Sequence, residues 1–343
     1  MSESLFGGAA SVYQALSDST KDLVDSVLAD TVGGKVTVSS VGSGTLVVGT
    51  GGDGEVQGVL VGTNSAITGE LKAGDLVITV ALPASVALAF EGPPASVTPE
   101  TAQAYFESVI NEALPDTSTD AATVELRESL LAGIQALKDS LAPGTGGAAV
   151  NVTVKVITLS KVAQNGLLAQ LPNAGSDVEF TGSTSTNELL AFVMSQLSAD
   201  DRLVLKDVKA AQIVGAGKVA LKDGSAAAAI SGDSFNQSLT GGVGADTLVG
   251  GGGVDTLTGG GGSDIFGVNS ISGDLLINDF DVKTDKIAFL FDGITSWQQV
   301  APFLTSITES GGNSTLNFST GASITLVGVS AQTLTIDLAK FSV

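Results

Sequence analysis

Residues 241–267 read GGVGADTLV, GGGGVDTLT, GGGGSDIFG. They are three nonapeptides in one register, Gly-Gly-x-Gly-x-Asp-x-apolar-x. Asp246, Asp255 and Asp264 are the only charges in the stretch and lie nine residues apart. Leu248, Leu257 and Phe266 repeat at the same interval. A Gly-rich linker carries no such phase, so the pattern points to a repeated structural unit.

The residue types state what the unit does. Six residues turn tightly, with some positive φ angles, and Gly reaches these without steric cost. The bared carbonyls can face a cation, and Asp adds a hard anionic oxygen. Oxygen-only ligation suits Ca²⁺, which takes 6–8 oxygens in flexible geometry. The last three residues make a short strand whose apolar side chain points inward. A period of nine of this kind signals a calcium-binding parallel β-roll, with two nonapeptides per turn. Like-facing loops then recur every 18 residues, which pairs Asp246 with Asp264. The candidate metal ligands are Gly242, Gly244 and Asp246, then Gly251, Gly253 and Asp255, then Gly260, Gly262 and Asp264.

These repeats resemble those of the repeats-in-toxin (RTX) proteins exported by bacterial type I secretion. Ser263-Asp264-Ile265-Phe266, Leu276-Ile277-Asn278-Asp279-Phe280, Thr284-Asp285-Lys286-Ile287 and 321–329 (GASITLVGV) resemble the usual exit from such a roll. The resemblance covers about 230–343. It implies Ca²⁺ as cofactor, export from a bacterial cell, and Asp279 and Asp285 near the last metal. It also implies an uncleaved C-terminal export signal, for which the apolar tail 331–343 is suited.

Composition narrows the function. The chain has 343 residues, 36 acidic against 15 basic, a net charge of −21, and no Cys or His. Nucleic acid is an unsuitable partner, because phosphate binding needs clustered Lys and Arg. Cations are the natural partner. Without Cys there are no disulfides or thiolate sites. Without His there is no Ser-His-Asp or Cys-His machinery and no zinc-peptidase motif. The lipase and peptidase activities of many RTX proteins are therefore excluded on residue inventory. No pair among the 36 acids is marked by spacing for glycosidase chemistry. The N-terminus lacks the basic and apolar regions of a Sec signal, and no stretch of about 20 apolar residues spans a membrane.

Along the chain, 9–31 carries helical spacing and reads as part of an N-terminal helical arm, 1–34. From 35 to 91, short strands (35–38, 45–48, 55–61, 75–82, 86–90) separated by Gly-rich turns suggest a sandwich or a β-helical stack. Thr98-Pro99-Glu100 is a helix start. Two helices, to about 113 and from about 121 to 141, make an αα-hairpin insert over 98–142. The segment 150–159 (VNVTVKVITL) alternates, which predicts a strand with Thr153 and Lys155 on an exposed face. A short helix is expected over 186–197, strands near 202–208 and 211–214, and a helix over 296–306 around Trp297. Leu221, Ile230 and Leu239 anticipate the period of nine, but Ala228 and Gln237 occupy the upstream Asp slots. The roll is therefore expected to start near 215 with metal-free turns.

The expected fold is mainly β. It comprises an N-terminal β domain (35–214) with the inserted hairpin, followed by a parallel RTX β-roll, its cap and an export signal (215–343). The expected protein is not an enzyme. It is a secreted, extracellular or cell-surface calcium-binding structural protein that folds on Ca²⁺ and self-assembles into a layer, filament or biofilm matrix. Sparse charge, Val/Thr-rich strands with edges open to pairing, and a composition resembling bacterial surface-layer and matrix proteins favour this. The alternative is a calcium-dependent adhesin that binds a cell-surface polysaccharide.

Overall fold

The computed structural model describes residues 37–41, 44–50, 56–62, 66–73, 76–83, 86–114, 117–141, 151–161, 177–182, 187–194, 197, 201–222, 227–269, 272–290, 297–336 and 341–342. The arm 1–34, with its expected helix, lies outside the described residues.

Six strands open the described chain: β1 (Thr37–Val41), β2 (Gly44–Thr50), β3 (Val56–Gly62), β4 (Ile67–Ala73), β5 (Leu76–Leu82) and β6 (Val86–Gly92). The helices α1 (Pro99–Ala113) and α2 (Ala121–Leu141) follow. Then come β7 (Val152–Lys161), β8 (Asp177–Thr181), β9 (Asn187–Val193), β10 (Arg202–Lys206), β11 (Ala210–Val214), β12 (Gly217–Leu221) and β13 (Ala229–Ser231). The repeats supply β14 (Gln237–Thr240), β15 (Thr247–Val249), β16 (Val254–Thr258) and β17 (Ile265–Asn269). The exit holds β18 (Asp274–Ile277), β19 (Lys286–Leu290), the helical turn α3 (Trp297–Val300), β20 (Leu304–Ser310), β21 (Asn313–Phe318), β22 (Ser323–Leu326), α4 (Ala331–Ile336) and β23 (Phe341–Ser342).

Two sheets face each other. Among the described residues, sheet I orders its twelve strands β1-β2-β3-β6-β7-β9-β11-β13-β15-β17-β19-β23. Sheet II orders its eleven strands β20-β21-β22-β18-β16-β14-β12-β10-β8-β5-β4. From β7 to β20 the chain alternates strictly between them. Within each sheet, successive turns pair parallel, Leu239 with Leu257 and Leu248 with Phe266. Upstream of β7 and β8 both sheets continue as antiparallel strands.

Parallel pairing begins earlier than the expected start at 215. The strands β7 and β9 pair parallel from Val152 with Asn187, and β8 and β10 from Asp177 with Arg202. The nine-residue code is absent there because loops of other lengths can return the chain to the next turn. One apolar core runs between the sheets through the repeats. Leu221, Ile230, Leu239, Leu248, Leu257 and Phe266 all lie in it, as the period of nine requires.

The helical hairpin forms where expected. Thr98 caps α1, its side chain accepting from the Thr101 N–H, with Pro99 in the first turn. Phe106, Ile110, Leu130, Ile134 and Leu137 pack on Val152, Val154, Leu189, Ala210 and Ala229 of sheet I. The small residues Ala210 and Ala229 let α2 approach closely. A Cβ placed on Gly133 of α2 would lie 2.2 Å from Gln212 Oε1 and 2.5 Å from Ser231 Oγ.

The structure corrects three expectations. The segment 186–197 is not a helix: residues 187–193 form β9, with Leu190 and Phe192 facing the inter-sheet core and Leu189 and Ala191 facing the hairpin. Burial on both faces makes a continuous apolar run, which periodicity cannot tell from a buried helix. Thr153 and Lys155 are not exposed, because their face of β7 points between the sheets. The Lys155 amine donates to the Pro93 carbonyl. In 296–306, helix stops at α3 and a 3₁₀ turn, Ala301–Phe303, and residues 304–310 form β20. Pro302 lacks the N–H that would continue an α-helix. The strand β4 was also missed, although Ile67 and Leu71 are buried and Thr68, Glu70 and Lys72 exposed in alternation.

Candidate metal centre

Alternation between the sheets gives the roll two edges. One carries the loops from sheet II to sheet I, residues 241–246, 259–264 and 278–285. The other carries the loops from sheet I to sheet II, residues 215–216, 232–236 and 250–253. Residues 18 apart stack on the same edge because one full turn separates them.

The Asp slots form rungs. Asp246 Oδ1 accepts the N–H of Ala228 at 2.9 Å. Asp264 Oδ1 accepts the N–H of Asp246 at 2.8 Å. Asp285 Oδ1 accepts the N–H of Asp264 at 3.0 Å and takes the next slot after a longer loop. On the opposite edge, Asp255 Oδ1 accepts the N–H of Gln237 at 2.8 Å. The structure thus brings Asp246, Asp264 and Asp285 into one row and sets Asp255 apart from them.

The second carboxylate oxygens differ. Asp246 Oδ2 accepts the Gly242 N–H at 2.8 Å, and Asp285 Oδ2 the Asp281 N–H at 2.8 Å. Asp279 is exposed and accepts the N–H groups of Gly259 and Gly260, both at 2.8 Å, which closes that loop. Asp255 Oδ2 is buried with no hydrogen-bond partner. Burying an unpaired carboxylate oxygen is costly unless a cation answers it.

The glycines stack the loops closely. Gly251, Gly253, Gly260 and Gly262 have φ between +82° and +130°, where only Gly is comfortable. A Cβ on Gly260 would meet Gly242 O at 2.2 Å, and one on Gly262 would meet Gly244 O at 2.1 Å. The carbonyls of Gly242 and Gly244 therefore face the next turn. Gly242 O accepts the Gly261 N–H, Gly251 O the Gly273 N–H and Gly253 O the Asp274 N–H.

Electrostatics agree with cation-seeking carboxylates on both edges. Burial pushes the Asp255 carboxyl up to about 7; the Gln237 N–H opposes this and the charge of Asp233 adds to it. Burial pushes Asp264 up to about 6, opposed by the Asp246 N–H and reinforced by Asp285, Asp246 and Asp279. Burial also raises Asp246, against the N–H groups of Gly242 and Ala228. Among the described residues no group of three or more acidic side chains gathers at one point. The available donor set is instead carboxylates in a row with backbone carbonyls between them, which suits the all-oxygen shell of Ca²⁺.

Sequence reasoning missed Asp233. Its Oδ2 accepts the Gly215 N–H at 2.7 Å and its Oδ1 the Phe235 N–H at 2.9 Å. It stands at the second position of the preceding nonapeptide, where the repeats have Gly, so only stacking on Gly215 reveals it.

Among the described residues no helix is long and apolar enough to cross a membrane. Comparison with curated proteins finds no match. A family model for the RTX calcium-binding nonapeptide repeat (4 copies) matches residues 231–266, extending one nonapeptide upstream of 241. Over that stretch the chain carries calcium-binding repeats of the RTX type.

Proposed function

We propose that this is a secreted, non-enzymatic structural protein whose roll orders on Ca²⁺ outside the cell and which then associates with further copies of itself. Proteins with RTX repeats are typically secreted. The observation that carries the calcium step is the row Asp246–Asp264–Asp285, in which burial raises the Asp246 and Asp264 carboxyls and so marks unfavourable charge that a divalent cation offsets. Asp246 and Asp264, with the carbonyl of Gly259 between them, would hold an ion on this edge. The bound ion supplies charge neutralisation, so binding energy becomes folding energy.

Self-association is supported by the open ends of the stack. Among the described residues sheet II ends in β4 and β20, and sheet I in β1 and β23. Open edges present unpaired backbone groups to another chain. The edge at β4 carries the ion pair Lys72–Glu70 at 3.3 Å, a charged guard against pairing. The strand β20 exposes Thr305, Ser306 and Thr308 and carries no charge before Glu309. Joining unlike ends propagates without closing, which yields filaments or layers. Electron microscopy and light scattering of the full chain, with millimolar CaCl₂ and with EGTA, test this. Calcium-dependent polymers are expected. A monomer at high concentration in CaCl₂ removes the assembly reading and favours a calcium-dependent adhesin.

A further inference from the structure

On the first edge three oxygens follow one another. A Cβ on Gly241 would lie 2.2 Å from Gly259 O and 2.8 Å from Asp246 Oδ2, and one on Gly259 would lie 2.4 Å from Asp264 Oδ2. The order is carboxylate, carbonyl, carboxylate. The same arrangement recurs nine residues earlier on the opposite edge. A Cβ on Gly232 would lie 2.2 Å from Gly250 O and 2.5 Å from Gln237 Oε1, and one on Gly250 would lie 2.4 Å from Asp255 Oδ2. Here the order is amide, carbonyl, carboxylate.

Gln237 therefore occupies its slot with an oxygen donor. Its Nε2 donates to Asp233 Oδ1 and, at 3.4 Å, to Gly215 O. That side of the amide is held toward the preceding turn, which leaves Oε1 on the other side. Gln237 is 4% exposed and Asp255 fully buried, and neither Gln237 Oε1 nor Asp255 Oδ2 has a hydrogen-bond partner. Buried oxygens without a donor call for an explanation. Adjacent strands in a sheet lie about 4.8 Å apart. That spacing lets slot oxygens on successive turns share one Ca²⁺ at about 2.4 Å each.

We propose that Gln237 Oε1, Gly250 O and Asp255 Oδ2 hold a Ca²⁺ ion on this second edge, at a site with a neutral amide where the repeat has a carboxylate. The proposal rests on the roll binding calcium and revises the expectation of a metal-free turn at Gln237. Asp233 supplies negative charge behind the amide, with its oxygens taken by Gly215, Phe235 and Gln237. With one coordinating carboxylate instead of two, this site binds more weakly than the Asp246–Asp264 site, since ligand charge tunes affinity. Calcium then fills the two edges in sequence as its concentration rises.

Calorimetric titration of the full chain with CaCl₂ tests the assignment. Gln237→Leu and Asp255→Asn should each lose one ion, and the double variant should lose no more than either alone. Asp264→Asn should weaken a different step by about tenfold and leave that ion in place, since an amide, a carbonyl and a carboxylate remain there. Unchanged stoichiometry in both single variants, or two ions lost in the double, overturns the site. If Gln237→Leu does not fold in CaCl₂, Gln237→Asp replaces it. Restoring the second carboxylate should tighten the weaker step at least tenfold, and an unchanged weaker step overturns the site. A wild-type chain that binds no calcium would overturn the calcium-driven folding proposed above; one that binds calcium with unaffected variants overturns this site alone.

Discussion

Asp264 reaches back 18 residues to accept the backbone N–H of Asp246 at 2.8 Å. The carboxylate thereby fixes the register between two turns of the roll while its other oxygen stays beside Gly259. One side chain serves as a rung of the ladder and as a candidate calcium ligand. Asn in its place keeps the rung oxygen and loses the charge.

Asp264→Asn should therefore raise the calcium concentration needed for folding by about tenfold, equivalent to about 1.4 kcal/mol of binding free energy. Glu125→Gln on the exposed face of α2 should leave it unchanged. Circular dichroism titrated with CaCl₂ reads both midpoints. Equal shifts would mean the repeats do not set the calcium response.

Stability should depend on pH in opposite senses with and without calcium. The Asp255 and Asp264 carboxyls rise on folding from 3.8 to about 7 and about 6. Between about pH 4 and 7 the folded, calcium-free chain thus holds protons that the unfolded chain has released. This contribution is full below 3.8 and is lost as pH rises through 6 and 7. In EGTA the melting temperature should fall from pH 5 to 7.5. In saturating CaCl₂ it should rise, because the ion displaces those protons. A rise in both buffers would contradict the assignment.

Gly133→Ala tests the seat of the hairpin. Ala favours a helix interior over Gly by about 1 kcal/mol. Here the added methyl would meet Gln212 Oε1 and Ser231 Oγ. Overpacking of this kind costs about 1–3 kcal/mol, so the variant should unfold at lower denaturant. Stabilisation would show that α2 rides higher on sheet I.

Phe192→Ala should cost about 3–5 kcal/mol, as large core truncations do. Phe192 is fully buried and meets Phe180 across the two sheets, ring centroids 4.9 Å apart. Chemical denaturation measures the loss. A cost below 1 kcal/mol would be incompatible with β9 as a strand buried on both faces.

Lys at both Thr305 and Thr308 should suppress polymers while leaving the melting temperature nearly unchanged, since exposed substitutions usually stay within about 0.5 kcal/mol. Light scattering in CaCl₂ reads the first effect and calorimetry the second. Polymers undiminished by two charges on β20 would place the contact elsewhere.

The roll was legible because its code is local: Gly supplies the turn, Asp the rung, and Leu248, Leu257 and Phe266 the inward slot within each nine residues. Thr98 and Pro99 marked α1 for the same reason. The strand β9 was not legible. Leu189, Leu190, Ala191 and Phe192 are all apolar, and only the hairpin on one side and sheet II on the other show why.

The sequence alone determined the ion class, the period of the turns and the pairing of Asp246 with Asp264, since all follow from residue type at fixed spacing. Only the tertiary structure decided that parallel pairing starts at β7. It also decided that Lys155 lies inside and that Asp233, Gln237 and Asp255 meet on a second edge. Those outcomes depend on which faces the two sheets and the hairpin cover, and such contacts join residues whose separation in the chain carries no repeat.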